Sequence, residues 1–242
     1  MVDPYMDFYK IGSGDLTAWP LLREFARRGK PLLLSTGLAS LDEIMQTVST
    51  IQSVDARYKE PEWLCLLQCT SMYPIPDTDA QLRVMDTLRQ ATGLAVGYSD
   101  HTIGSAAIYA AVAMGAEAIE FHFTDSREDK EFRDHKVSLT GSEVQQLMAD
   151  VSQITAFRGD GVKVPQPSEL ADKHEISFRR GVYAKRAIAK GETIRAEDLV
   201  LLRPAHGTDV RDYDLVFGAS ALQDIKPFEA LYASKHYSHN NL

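Results

Sequence analysis

A chain of 242 residues is long enough for one large domain or two modest ones. With 44% apolar and 25% charged residues the balance is globular rather than disordered. The charge count, 26 Lys and Arg against 34 Asp and Glu, is net −8, which argues against a nucleic-acid binder but leaves room for small anions held by a few local cations. No apolar run reaches the roughly 18–20 residues of a membrane span, and MVDPYMDFYK lacks the basic and apolar regions of a signal peptide. Cys65 and Cys69 lie four apart in one apolar run, so a disulfide framework is not expected and a reducing cytoplasm is the simplest setting.

Residues 1–158 repeat one unit, an apolar run ending in small or polar residues and followed by an amphipathic or alanine-rich stretch. The runs DFYKIGSG (7–14), PLLLSTG (31–37), WLCLLQCTS (63–71), LAVGYSDHT (94–102) and AIEFHFT (118–124) are predicted strands. Between and after them, helices are predicted over 18–29, 40–51, 79–93, 103–115 and 140–157. Ser40 reads as an N-cap, Thr140 with Glu143 as a capping box, and glycine stops stand at 29, 93 and 115. Continuous apolar strands alternating with helices indicate a parallel sheet covered on both faces. Polar residues gather at the strand C-terminal ends, where such folds carry their sites.

Residues 159–176, rich in proline, glycine and mixed charge, read as a linker. Residues 177–232 read as a compact, mostly β module with a KGE turn at 190–192. The polar tail 233–242 is expected to fray, so its His236 and His239 are not read as a metal site.

His101 follows one strand and His122 ends the next, so both imidazoles can reach one divalent ion in an open site, with unrelated structural histidines as the alternative. Glu120 and His122, two apart, share a strand face. That face is expected to point into the barrel, where Glu120 needs a cation, and Lys10 is the nearest candidate type. The alternative is a structural ion pair. Lys10, Ser13, Ser35 and Ser99, with glycine-containing loops, can hold a phosphate or carboxylate. Tyr73, in a rigid loop with two prolines, can meet a sugar or simply anchor the loop. Cys65 and Cys69 are assigned to the core.

YKIGSGDLTAWPLL, KPLLLSTG, LQCTSMYP, GYSDHT, IEFHFT, YAKRAIAKGETI and LLRPAHG occur in order and at the spacing of one family. From about residue 7 to 232 the chain resembles the sialic acid (N-acetylneuraminate) synthases, with their legionaminate and pseudaminate relatives. The resemblance implies an α/β fold, a (β/α)8 TIM barrel followed by a small antifreeze-like SAF domain. It implies condensation of phosphoenolpyruvate with an N-acetylated amino sugar such as N-acetylmannosamine, a divalent metal, Mn with Mg or Co as alternatives, and a domain-swapped homodimer. By motif, His101 and His122 match metal ligands, and Glu120 and Lys10 match catalytic positions. Lys10, Ser13, Ser35, Ser71, Tyr73, Ser99, Asp134 and Arg203 match substrate-binding positions, with Arg203 reaching the partner's site.

The chain departs from the family in three places. Relatives carry roughly a hundred residues before the YKIGSG strand, so a partial barrel of about five βα units lacking the first three strands is expected. FRDHK, containing Asp134, stands where many relatives have GPDH, and RPAHG replaces RPGNG. The rival readings are an inactive barrel remnant serving as a sugar-binding or interaction module, and another phosphoenolpyruvate-condensing barrel, against which the SAF-like segment speaks.

Overall fold

The structure is a computed structural model and describes residues 3–238. The chain divides into two compact units at Gly161/Val162, close to the expected start of the linker.

In the first unit five parallel strands lie in sequence order: β1 (Tyr9–Ile11), β2 (Leu32–Ser35), β3 (Leu64–Cys69), β4 (Ala95–Asp100) and β5 (Ile119–Phe121). The helices are α1 (Trp19–Arg27), α2 (Leu41–Val54), α3 (Val84–Thr92), α4 (Ala106–Ala113), the short α5 (Asp134–Val137) and α6 (Gly141–Arg158). Each of the five predicted strands and five long helices is present. Ser40 caps α2 in a full capping box with Glu43, and Thr140 caps α6 with Glu143. Gly29, Gly93 and Gly115 take φ of 67°, 66° and 93°, the left-handed conformation that ends helices.

Period-2 alternation splits the strands into two faces. One face, with Tyr9, Ile11, Leu32, Leu34, Leu64, Leu66, Val96 and Tyr98, forms the main core with Leu22, Ile44, Val48, Ile51, Met85 and Leu88 of the helices. The other face is lined by Leu33, Cys65, Leu67, Ala95 and Ala118 at the strand N-terminal ends. Further along, that same face turns polar, carrying Ser35, Cys69, Ser99 and Glu120. Gly97 keeps this inner face narrow, because a Cβ there would run into the Ala118 carbonyl oxygen and lie 2.7 Å from Leu67 Cδ2.

The sheet has one rung that periodicity did not reveal. Leu139 bridges Phe123 in parallel, donating its N–H to the His122 carbonyl and accepting from Thr124 N–H. A single rung leaves no alternation to read, which is why the segment before α6 looked like a helix start alone.

In the second unit the expected linker contains two short helices, α7 (Pro167–Ala171) and α8 (His174–Ser177). The β module follows as expected. β6 (Gly181–Ala184) pairs antiparallel with β7 (Leu199–Leu202), and β8 (Ser220–Ala221) with β9 (Tyr237–Ser238). Its core holds Val182, Ala184, Ile188, Ile194, Val216, Leu231 and Tyr237. Gly191, with φ of 82°, makes the KGE turn. Arg186 ties the turn down, donating to Glu192 and to the buried Asp198 at 2.6 Å each.

The described part of the expected tail, 233–238, does not fray. Tyr237 packs in the core, and His236 is fully buried, its Nδ1 accepting the Tyr232 N–H and its Nε2 3.3 Å from Glu229. Sequence polarity misleads here because both the backbone and the imidazole find partners inside the fold. His239 lies outside the described residues. No helix among the described residues is long and apolar enough to cross a membrane.

Candidate active site

The polar ends of all five strands border one cavity of about 250 Å³. It is lined by Lys10, Ser13, Ser35, Cys69, Ser71, Tyr73, Ser99, His101, Glu120 and His122, with Gly12 and Gly14. Four strand spacings of about 4.8 Å would hold β1 and β5 roughly 19 Å apart in a flat sheet. Side chains from both edges share this small space, so the sheet is curled with its inner face concave.

The two histidines converge. Their ring centroids lie 5.1 Å apart at 74°. His101 is buried, and its Nδ1 sits 2.9 Å from the Thr70 carbonyl oxygen. A carbonyl only accepts, so Nδ1 carries a proton and Nε2 is the nitrogen left to face the cavity. His122 Nδ1 lies 3.7 Å from Asp134 at the start of α5. Burial and the neighbouring His101 hold the His122 imidazole below the usual histidine range, which keeps it neutral. Two converging imidazoles, one braced by a carbonyl and the other beside a carboxylate, fit a divalent ion with open positions for water or substrate. Among the described residues no group of three or more His, Cys, Asp or Glu has metal-binding geometry.

Tyr73 lies against both rings, with centroids 4.0 Å from His101 and 5.4 Å from His122. Its phenol is pushed up, mainly by burial. Arg133, which sequence reasoning passed over, stands 4.9 Å above the Tyr73 ring and 3.7 Å from Asp134. Asp134 itself does not line the cavity but flanks it through His122.

Two expectations need correction. Lys10 does not pair with Glu120; its Nζ lies 3.4 Å from the Ile11 carbonyl, while Glu120 accepts from Ser99 Oγ at 2.5 Å. The neighbouring strand supplies a hydroxyl at the same register position, so the carboxylate is met there rather than by a cation from the far edge. Cys69 is not purely core: its thiol lines the cavity 3.9 Å from His101 Nδ1, whereas Cys65 stays in the apolar layer with its thiol pushed up to about 12 by burial. The signal was available in the strand period, which places Cys69 level with Ser99 and Glu120.

Among the serines, Ser13 Oγ accepts the Gly37 N–H at 2.9 Å, which frees its own proton to be donated elsewhere. Ser35 Oγ is buried without a hydrogen-bond partner among the described residues, an orphan aimed into the cavity. Arg203 belongs to the second unit, where it follows β7 and lines a different groove.

The NeuB family model matches residues 1–163 and the SAF domain model residues 179–235. The N,N'-diacetyllegionaminic acid synthase of Campylobacter jejuni is 36% identical over 226 residues, covering 93% of this chain and 66% of that protein. The N-acetylneuraminic acid (sialic acid) synthetase of Leptospira borgpetersenii, solved with citrate, is 33% identical with a TM-score of 0.63, over 70% of this chain and 57% of that one. A putative spore coat polysaccharide biosynthesis protein E of Chromobacterium violaceum reaches a TM-score of 0.74 at 27% identity, over 98% of this chain and 69% of that one. The chain spans less than two thirds of the length of the curated relatives it matches.

Proposed function

The chain belongs to the NeuB family, and on that premise we propose that it serves a sialic-acid-type synthase. The reaction condenses phosphoenolpyruvate with an N-acylated amino sugar such as N-acetylmannosamine. The methylene carbon of phosphoenolpyruvate forms the new bond to the sugar aldehyde carbon, water adds to the enol carbon, and the tetrahedral intermediate expels phosphate. Three carbons and six give a nine-carbon 2-keto sugar acid.

The observation that carries this reading is one cavity shared by an ammonium, four serines, a carboxylate and two imidazoles, with the Ser35 hydroxyl orphaned inside it. In the proposal Lys10 and the hydroxyls of Ser13, Ser35, Ser71 and Ser99 hold the phosphate and carboxylate of phosphoenolpyruvate. Glu120, beside Ser99, moves the proton at the sugar oxygen, with Lys10 assisting. Tyr73 and Asp134 meet the sugar. His101 and His122 would hold a divalent ion, Mn with Mg or Co as alternatives, which would supply Lewis acidity at the sugar aldehyde.

Five parallel strands and one rung do not close an eight-stranded barrel. We propose that three further strands complete it, that Arg203 reaches the site of a partner subunit in a domain-swapped homodimer, and that the reaction runs in a reducing cytoplasm, in keeping with the free buried Cys65 and Cys69.

The test is phosphate release from phosphoenolpyruvate by this chain, alone and with the strand-completing segment of a relative. The expected result is release that requires both the amino sugar and Mn²⁺ and falls by about 10²–10⁴ in His101→Ala. Full release after chelation or in that variant overturns the metal assignment. Sugar binding with no release once the barrel is complete favours a binding module instead.

A further inference from the structure

Asp100, the last residue of β4, is a buried acid for which the proposed reaction has no use. Strand alternation places it with Tyr98 on the outer face, away from the cavity that Ser99 and His101 line. A carboxylate in a layer packed against helices is costly unless its oxygens are met by donors. Here three neutral donors meet it. Oδ1 accepts the Tyr98 hydroxyl and the Thr102 N–H, and Oδ2 accepts the Thr102 hydroxyl, each at 3.0 Å. Two of these bonds reach past His101 to the residue beyond it. They close a turn from Asp100 to Thr102 with His101 at its apex, the geometry a short acid makes with the N–H two residues on.

The rest of His101 is held by the loop after β3. Its Nδ1 lies 2.9 Å from the Thr70 carbonyl oxygen, its own carbonyl accepts the Ile75 N–H at 3.0 Å, and the Tyr73 ring lies 4.0 Å from its ring. That loop is itself tied shut, because Thr70 Oγ1 donates to the Asp79 carbonyl at 2.7 Å. The loop therefore offers partners at fixed places. His101 meets them only when its backbone leaves β4 at the angle the Asp100 turn sets.

We propose that Asp100 is a positioning residue. By bonding Thr102 on the far side of His101 it fixes the angle at which the imidazole enters the cavity, which keeps Nδ1 on the Thr70 carbonyl and Nε2 facing the cavity. The proposal deepens the synthase reading and rests on it only where a metal ion is the probe. Tyr98 provides an internal control, since it bonds the same carboxylate from the core side and takes no part in the turn.

The experiment uses the full chain and two readouts beside the unfolding temperature. One is Mn²⁺ affinity, from the EPR signal of the free ion. The other is the His101 Nδ1 proton, identified in the NMR spectrum of ¹⁵N-labelled chain as the ring N–H that His101→Ala removes. Asp100→Ala is expected to weaken Mn²⁺ binding by about 10–100-fold and to lose the protected ring proton. The carboxamide of Asp100→Asn can accept from Tyr98 and the Thr102 N–H and donate to the Thr102 hydroxyl, so most of both is restored. Tyr98→Phe lowers the unfolding temperature and leaves both readouts at wild type. Thr102→Val keeps the turn N–H and loses one bond, and it moves both readouts in the direction of Asp100→Ala. Wild-type values in a folded Asp100→Ala, or in Thr102→Val should Asp100→Ala not fold, overturn the proposal. Equal losses in Tyr98→Phe and Asp100→Ala overturn it too, because they mark a purely structural role. A wild type that binds no Mn²⁺ overturns the metal assignment instead, and the ring proton then decides the positioning by itself.

Discussion

Ser99 and Glu120 stand opposite one another on adjacent parallel strands, and the Ser99 hydroxyl donates to Glu120 Oε2 at 2.5 Å. Ser99 is almost fully buried and Glu120 half-buried. The carboxylate therefore has a fixed orientation into the cavity rather than a free rotor. Glu120→Gln keeps an oxygen able to accept this bond, so circular dichroism and thermal unfolding are expected to stay close to wild type. Phosphate release by the completed synthase is expected to fall by about 10²–10⁴. Ser99→Ala removes the donor and leaves the acid in place, so a smaller loss, about 1–3 kcal/mol in kcat/KM, is expected. Wild-type turnover in Glu120→Gln removes this residue from the proton transfers.

Gly37, in the turn after β2, and Gly14, in the 3-10 turn after β1, differ in what surrounds them. A Cβ on Gly37 would strike Ser71 Oγ and lie 2.8 Å from Ser13 Oγ, while a Cβ on Gly14 meets nothing within 4 Å. Gly37→Ala is expected to cost about 1–3 kcal/mol of stability, by overpacking and by displacing the Gly37 N–H to Ser13 hydrogen bond. Gly14→Ala is expected to stay within about 0.5 kcal/mol of wild type. Urea unfolding of the two variants checks this, and equal stability of the pair would falsify the crowding account.

Glu143 accepts from both terminal nitrogens of Arg127, at 2.6 and 2.8 Å, and from the Thr140 N–H at 2.7 Å. The Arg127 bonds are the main reason its carboxyl is held down at about 2, with the capping N–H next. Its folded pKa lies below the ordinary glutamate value of 4.5. The pair therefore stabilises the first unit above pH 4.5, and that contribution is lost as pH falls from there toward 2. Both side chains are about two-fifths exposed, so solvent screens the effect and the expected change is small. Urea midpoints at pH 6 and pH 3 for wild type and Glu143→Gln measure it. The gap between the two proteins should narrow at pH 3, and a gap that is the same at both pH values rules the linkage out.

Much was legible in the chain alone, because local rules sufficed. Five apolar runs ending in polar residues, the Ser40 and Thr140 caps and the glycine stops at 29, 93 and 115 depend on neighbours within a few positions. Period 2 alone put Glu120 and His122 on one face, and both line the cavity. The tertiary structure decided what depends on register and curvature. It chose Ser99 rather than Lys10 as the partner of Glu120, brought Cys69 to the edge of His101, added the Leu139 rung, and buried His236 in a stretch whose composition reads as a loose end. Spacing along a strand tells which side a residue faces. Which residue it meets across the sheet is set by how far each strand slides and how tightly the sheet bends, and those are fixed only when distant parts of the chain pack together.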